Sequence, residues 1–441
     1  STSLIRGSQS LFGLKTEFQL VNTTGNLVFS QQQGEAKTIV AQGGGTMNTF
    51  KVNAIDYEDN QHFFLGKYFL DNYDAALANY PLINSRVNIT RLEVWVLDQG
   101  GANLETQKPI VGIRDLGEQD GVTPNNTNQG LYGAITSTLG TSREASSPPD
   151  LLNGNTFPGS TQPYSNNGEQ YIFNRKARRL TSSEFKYNTQ LGYISLNQRL
   201  NDGQFLAVSY SYTLNGSSQV YKVGEFSEEN SVLITKLLRS NVSVNTQSPM
   251  WELMMKNIYS LNTSQIQPQD FLLNVYYKDP NSGGKVNYLP GAQYTGGILP
   301  DTNLLRLFNL DRLNINNDEQ TNAQGEKGDG VFDFVNGITL DAENGKIIFT
   351  KAKPFVDYLN GVLTNPEPQK SQYIIKDLYT TFKAQLPQEQ RYTIEGRYKG
   401  SQGQGISLGA INVPQRSVKV TADAAQLVEG VDYTVDYMLG T

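Results

Sequence analysis

The sequence predicts a mixed, β-rich α+β fold, with several antiparallel sheets and hairpins and a few short helices. Three observations predict it. Segments of alternating apolar and polar residues, the period of a β-strand, recur along the chain. The aromatic residues are 24 Tyr and 19 Phe against 2 Trp, which favours paired strands. The 41 Gly and 17 Pro interrupt the apolar segments often, as turns and loops require.

The first elements read as extended strands, then a helix, then a buried strand. Residues 1–50 are extended segments interrupted by Gly. In "HFFLGKYFLDNYDAALANYPLI" (62–83), aromatic and apolar residues recur at i and i+4, which predicts a helix that Pro81 closes. "NITRLEVWVLD" (88–98) is a near-continuous apolar run and predicts a buried strand.

A Ser-, Pro-, Asn- and Gly-rich stretch, residues 141–170, is predicted to be a long loop or hinge. Two hairpins follow, within 191–226 and 271–289, separated by a short helix over 249–261. The loop 314–330 then precedes strands predicted over 337–349, 371–382 and 390–398.

The chain closes on two alternating segments, 417–422 and 431–437, that read as strands of a hairpin. Because a turn begins at residue 439 and the sequence ends at 441, we expect the hairpin to be incomplete and the chain to belong to a longer polypeptide.

The predicted organisation is 1–50 extended strands, with a candidate barrel association; 51–140 an α+β lobe; 141–170 a loop or hinge; 171–300 a β-hairpin lobe with a short helix; 301–365 an Asp/Asn-rich loop and strands; and 366–441 β-strands ending in the incomplete hairpin.

Charge and composition argue against several classes of partner and chemistry. The net charge is −6, so no basic field attracts nucleic acid. The basic cluster Arg175, Lys176, Arg178 and Arg179 is predicted to be a solvated or ion-paired face. The chain has no Cys, which excludes disulfides and thiol nucleophiles. A mean hydropathy of −0.45 and the lack of a long apolar run predict that most of the segment lies outside the bilayer.

The same inventory predicts that the segment is not an enzyme. His62 is the only histidine, so the usual triads and zinc sites lack partners. We interpret it as a structural or exposed residue. Carboxylates are plentiful, but no pattern positions two of them as an acid–base pair.

One stretch carries a ligand signal, "DRLNINNDEQTNAQGEKGDGVFD" (311–333). Oxygen-bearing side chains on a loop are the ligands that Ca²⁺ requires, although their spacing here is not that of an EF-hand. The sequence therefore predicts a candidate calcium site, with calcium as its only cofactor. The alternative is a polar loop that uses Asn and Asp to form turns. The candidate ligands are Asp311, Asn314, Asn316, Asp318, Asp329 and Asp333.

An ordered series of motifs runs through nearly the whole chain. It comprises "FSQQ" (29–32), "NITRLEVWV" (88–96), "LGYISLNQRL" (191–200), "VGEFS" (223–227), "PMWELMMKNIYSL" (249–261), "LLRLFNLDRLN" (304–314), "DGVFDFV" (329–335) and, from 411 onwards, "INVPQRSVKVTA" and "LVEGVDYTVDYMLGT". The series resembles the SprA/Sov family, the giant outer-membrane translocon of the type IX secretion system. Arg416 stands where that pattern has Gly.

The resemblance implies a very large outer-membrane β-barrel through which folded proteins are exported, with a link to gliding motility. This chain would be a soluble insertion of that barrel at the bacterial outer membrane or cell surface, forming part of the conduit, a cap or a partner-docking surface. Implied partners are a PorV-type barrel, a periplasmic plug and exported cargo, with membrane contact through the parent barrel and no nucleic acid. Two alternatives stay open: a secreted or surface adhesin that binds glycans, and a calcium-dependent hydrolase.

Overall fold

The structure is a computed structural model. It describes residues 11–20, 23–32, 41–42, 45–97, 107–118, 124–126, 132–133, 136, 168, 170–242, 245–319, 321, 325, 327–386, 391–399, 413–414, 416–422 and 425–437. The predicted loop or hinge, 141–170, lies outside the described residues except for 168 and 170.

Strands dominate the described residues. They are β1 (Leu11–Leu20), β2 (Thr23–Gln32), β3 (Ala41–Gln42), β4 (Gly45–Asn53), β5 (His62–Phe64), β6 (Val87–Leu97), β7 (Gln107–Ile113), β8 (Tyr171–Arg179), β9 (Phe185–Asn188), β10 (Tyr193–Leu196), β11 (Leu206–Leu214), β12 (Val220–Val223), β13 (Leu233–Arg239), β14 (Ile258–Ser260), β15 (Leu272–Lys278), β16 (Lys285–Val286), β17 (Leu340–Asp341), β18 (Lys346–Ile348), β19 (Tyr392–Lys399), β20 (Thr421–Ala422) and β21 (Ala425–Gln426). The β-rich fold class is confirmed.

The helices are short. They are α1 (Lys67–Ala76), α2 (Pro249–Leu253), α3 (Leu304–Leu307) and α4 (Leu359–Val362), with a π-helical turn at Pro354–Tyr358 and 3₁₀ turns at Lys370–Gln372 and Lys383–Gln385. Within the described residues, every helix is too short or too polar to span a bilayer.

The chain divides into two compact units. Unit 1 comprises Ser1–Phe50, Gln265–Leu272 and Gly396–Thr441, and unit 2 comprises Lys51–Ser264 and Leu273–Glu395.

Unit 2 contains a small closed barrel. Its ring of strands is β6–β11–β13–β7–β8, and β8 pairs with β6 to close it. All neighbours are antiparallel except β13 and β7. One buried cluster includes Trp95, Ile110, Ile172, Ala207 and Leu233, which takes at least one residue from each ring strand. Since side chains alternate between the two faces of a strand, this cluster fills the inside of the ring.

A larger core lies against the outer face of the ring. It includes Val94 and Val96, the two neighbours of Trp95 on β6, and it receives helix α1 through Phe69 and Tyr73. Gly192 sits under this helix at φ +61, where an added Cβ would lie 2.0 Å from a ring carbon of Phe69. Unit 2 also contains two three-stranded sheets, with the orders β5–β10–β9 and β14–β18–β17.

In unit 1, β1 and β2 form an antiparallel hairpin, and the rings of Phe50 and Phe271 stack with centroids 6.0 Å apart. Gly396 allows close approach there, because a Cβ would lie 1.9 Å from the carbonyl oxygen of Leu272. Arg416, where the family pattern has Gly, adopts the left-handed conformation at φ 62, which glycine favours. Also in unit 1, β3 pairs with β4, and in unit 2, β15 pairs with β16.

Several predicted elements are confirmed. The early extended strands are β1–β4. The aromatic stripe forms α1, although Phe64 belongs to β5. The buried strand is β6, the two hairpins are β11–β12 and β15–β16, and the strand predicted over 390–398 is β19.

Other predictions are corrected. The helix predicted over 249–261 ends at Leu253, because Met254 pairs with Phe63 of β5 and Met255 N–H donates to the His62 carbonyl. The strand predicted over 337–349 is the hairpin β17–β18.

Two further strands were predicted wrongly. Residues 371–382 form turns held by side-chain bonds such as that from Tyr373 Oη to the Pro290 carbonyl, 2.6 Å. The alternating segment 431–437 is not a strand, since Asp432 instead accepts from Val428 N–H at 2.8 Å in a local turn. A hairpin does form nearby, between β20 and β21.

Candidate functional site

The Asp/Asn-rich loop 311–333 is closed at its base by Asp311. This residue is buried, and its Oδ1 accepts from Asp329 N–H at 2.9 Å and from Gly330 N–H at 3.2 Å. Arg306 Nη2 lies 3.5 Å from Oδ2. Gly328 is required beside it, since at φ +86 an added Cβ would lie 2.0 Å from Asp311 Oδ1. Burial raises the pKa of Asp311 to about 6.

Asp333 is a second buried carboxylate at the base of the loop. Its Oδ2 accepts from Tyr80 Oη at 2.6 Å, Arg312 N–H at 2.7 Å and Leu313 N–H at 2.9 Å. Burial raises the pKa of Asp333. The Arg312 side chain donates in turn to the Tyr80 carbonyl at 2.9 Å and to Glu319 at 2.7 Å. These bonds fix both ends of the loop to the segment that follows α1.

The other candidate ligands shape the loop locally. Asn314 Oδ1 accepts from the N–H groups of Asn316 and Asp318, at 2.9 and 3.1 Å, and Asp329 Oδ1 accepts from Val331 N–H at 3.0 Å. The six residues therefore fall into separate hydrogen-bonded groups. Within the described residues, no group of three or more His, Cys, Asp or Glu side chains is placed to hold a metal ion. Calcium binding stays a prediction.

The sequence did not reveal a polar cluster around His62. His62 is buried, and its side chain contacts the neighbouring strand β10, where Nδ1 lies 2.8 Å from Ser195 Oγ. Its Nε2 lies 2.8 Å from Glu58 Oε2, and Lys346 Nζ also lies 2.8 Å from that oxygen. Since the ionised carboxylate can only accept, Nε2 carries the proton and Nδ1 accepts from the serine hydroxyl.

The environment keeps this imidazole neutral. Burial lowers the pKa of His62 most strongly, and the charge of Lys346 also lowers it. The hydrogen bond with Glu58 raises this pKa but does not cancel the effect of burial. Burial alone would raise the pKa of Glu58, but the hydrogen bond from His62 and the charge of Lys346 lower it. Serine, histidine and carboxylate in this order also form hydrolase relays. Here the imidazole of His62 on β5 contacts Ser195 on β10 and is linked through Glu58 to Lys346 on β18, as expected of a structural histidine. The absence of enzyme activity stays a prediction.

The basic cluster on β8 is partly neutralised. Arg178 donates to both carboxylate oxygens of Glu184, at 3.0 and 2.9 Å. Arg179 Nη1 donates to Glu93 at 3.1 Å and to Ser227 Oγ at 2.6 Å. The predicted ion-paired face is therefore confirmed at these two residues.

Comparison with known proteins finds one similar family. Residues 2–140 match the family model SprA_N, described as "Motility related/secretion protein". This match supports membership of the SprA/Sov family. The match covers β1–β7 and α1, which includes two ring strands of the closed barrel. The family that matches residues 2–140 implies a motility- or secretion-related function. No curated protein matches the chain.

Proposed function

We propose that this chain is a non-enzymatic segment of the type IX secretion translocon at the bacterial outer membrane, linked to gliding motility. It would form part of the conduit, the cap or the partner-docking surface through which folded proteins are exported. The observation that carries the proposal is the match of residues 2–140 to a motility- and secretion-related family. The ordered motifs, which extend to the end of the chain, support it.

The geometry of unit 2 supports a structural role. Its closed barrel leaves no open edge in the ring itself, and a ring of paired strands resists pairing with passing polypeptides. The carboxylates of Asp311 and Asp333 and the imidazole of His62 accept or donate hydrogen bonds within the fold. Groups committed in this way stabilise a wall and are poorly placed for turnover of a substrate.

The partners we propose are a PorV-type barrel, a periplasmic plug and exported cargo, with no nucleic acid. The test is purification of the full-length parent from outer membranes through an affinity tag inserted within 141–170. Co-purification of a smaller barrel together with cargo is the expected result. Recovery of the parent alone, together with binding to surface glycans, would contradict the translocon proposal and favour a surface adhesin.

The side of the membrane can be determined with a Cys introduced into this chain, which contains none, by comparison with labelling of the unsubstituted parent. Ser218, in the exposed turn between β11 and β12, is substituted as Ser218→Cys in the parent. A membrane-impermeant maleimide added to whole cells labels it only if this surface faces outwards. The matched control is Ser209→Cys, at a fully buried position of β11, which should react only after unfolding.

A further inference from the structure

The tip of the loop 311–333 exposes one isoleucine almost completely. Ile315 is 90% exposed, the largest exposed fraction among the large apolar side chains that the structure describes. Single apolar side chains are common on protein surfaces. Ile315 differs from them in two respects: the turn that carries it is fixed, and other exposed apolar side chains lie around the same loop.

Hydrogen bonds hold the backbone on both sides of Ile315. Asn314 Oδ1 accepts from the N–H groups of Asn316 and Asp318, at 2.9 and 3.1 Å. Asn314 N–H donates in return to the Asp318 carbonyl at 2.9 Å. Asn317 closes the turn in the left-handed conformation at φ 61, which asparagine tolerates. The turn is therefore ordered before any partner binds, so docking costs little further backbone entropy.

Two further exposed apolar side chains lie around the base of this loop. Leu82 is 72% exposed, and Val331 is 48% exposed. Leu82 follows Tyr80 by two residues, and Val331 precedes Asp333 by two. Tyr80 Oη donates to Asp333 Oδ2 at 2.6 Å. Since two residues span at most about 7 Å of backbone, both apolar residues stay near the hydrogen bonds that fix the loop.

The charge of the same loop is negative. It contains six Asp or Glu residues and two basic residues. Both basic side chains, Arg312 and Lys327, pair with Glu319. Asp318 and Asp329 are exposed, and neither forms an ion pair with any residue that the structure describes. Uncompensated carboxylates therefore accompany the exposed apolar side chains.

This combination favours a protein partner over a membrane. An anionic lipid surface repels carboxylates. An apolar side chain that projects from a fixed turn fits a pocket better than it fits a flat surface. A pocket with apolar walls would bury Ile315, and basic side chains at its rim would attract Asp318 and Asp329. Charge complementarity thus defines the rim, and the single projecting side chain defines the pocket.

We propose that the tip of this loop docks into an apolar pocket with a basic rim on another protein, with Ile315 as the side chain that enters the pocket. The proposal adds a contact residue to the partner-docking surface proposed above. It does not depend on the translocon role, because it uses only the apolar side chain and the charges of the tip.

The test is photo-cross-linking in cells that make the full-length parent. The photoreactive residue p-benzoylphenylalanine replaces Asn316, an exposed neighbour of Ile315. Irradiation should give one discrete adduct with another protein. The control position is Ser218, in the exposed turn between β11 and β12, which should not give this adduct.

Two substitutions, combined with the photoreactive residue, test the apolar side chain and the charge separately. Ile315→Ser should lower the adduct yield at least about tenfold, the factor for burial of one apolar side chain. Val220→Ser, at another exposed apolar residue, should leave the yield unchanged. Asp318→Lys should lower the yield at least about fivefold, the factor for one water-screened charge about 4 Å away. Asp377→Lys, at an exposed aspartate elsewhere in unit 2, is its matched control.

The Tm of the parent separates loss of docking from loss of structure. The Ile315 side chain is already in water, and Asp318 contributes only its backbone groups to the hydrogen bonds of the turn. Neither substitution should therefore lower the Tm.

Each other outcome overturns part of the proposal. If Asn316 gives no adduct, or if the adduct survives Ile315→Ser, the docking site is wrong. An adduct that survives Asp318→Lys overturns the basic rim. An adduct with lipid, or one that joins two copies of the parent, overturns a separate protein as the occupant. If a smaller barrel co-purifies with the parent but no adduct forms, the translocon proposal stands and this docking site alone is rejected.

Discussion

Lys256 should make the stability of unit 2 depend on pH above neutrality. The side chain follows helix α2, is almost fully buried, and donates to the carbonyls of Trp251 at 2.5 Å and Met254 at 3.0 Å. Burial, assisted by the charge of Lys353, lowers the pKa of Lys256 from 10.5 to about 7. The perturbation we consider is Lys256→Met, which keeps the length of the side chain and removes its charge.

The sign follows from proton binding. Between about pH 7 and 10.5 the unfolded chain holds a proton on Lys256 that the folded chain lacks, so the free energy of unfolding rises with pH. This contribution is complete above 10.5 and is lost as the pH falls towards 7. The slope is about 0.7 kcal/mol per pH unit at pH 7, where the folded group is half protonated, and approaches about 1.4 above pH 8, so the wild type should gain about 2 kcal/mol over the variant between pH 7 and pH 9. The two carbonyls and the Trp251 ring, 4.8 Å away, favour the charged form and make this an upper value.

The assay is urea unfolding at pH 7, 8 and 9, followed by tryptophan fluorescence. Both tryptophans lie in unit 2, so the signal reports on the unit that contains Lys256. Lys176→Met, at an exposed lysine of β8, is the matched control and should parallel the wild type. If the difference between wild type and Lys256→Met is the same at all three pH values, the lysine is not desolvated in the folded state and the reasoning fails.

Three further predictions concern the loop and the core. Asp333→Ala should lower the free energy of unfolding by about 3–5 kcal/mol, because three buried donors lose their acceptor. A loss below about 1 kcal/mol in urea unfolding would contradict that assignment. Gly192→Ala should cost at least about 3 kcal/mol through the clash beneath α1. Gly203→Ala, also at positive φ but with no heavy atom within 4 Å, should cost only about 1–2 kcal/mol by the same measurement. If the loop 311–333 binds calcium, about 1 mM Ca²⁺ should give a higher Tm than EDTA. Equal values would leave the carboxylates as loop anchors only.

Local patterns predicted the elements that local forces decide. Helix α1 needs only the i, i+4 aromatic stripe, and β6 needs only its long apolar run, so both were found within a few residues of their ends. The helix predicted over 249–261 failed because Met254 pairs with Phe63, nearly two hundred residues earlier in the chain. No pattern within the segment carries that information.

In the candidate site, too, the sequence predicted the features that depend on local residues and missed those that depend on distant ones. The oxygen-rich loop could be read from composition, but the donors that occupy Asp333 come from Tyr80 and from the backbone of the loop. The His62 cluster joins three distant stretches through Ser195 and Lys346, so its parts are unremarkable in sequence.

The ring of the closed barrel also sets the order in which the chain can mature. β6 pairs along its whole length with β11, which is synthesised more than a hundred residues later, and the ring closes only once β13 has emerged. Contacts of such long range make folding slow, because the intervening chain must be confined first. Until residue 239 is available, β7 lacks β13, one of its two ring partners, and the ring stays open. Cells should therefore protect this segment with a chaperone between its synthesis and its final assembly.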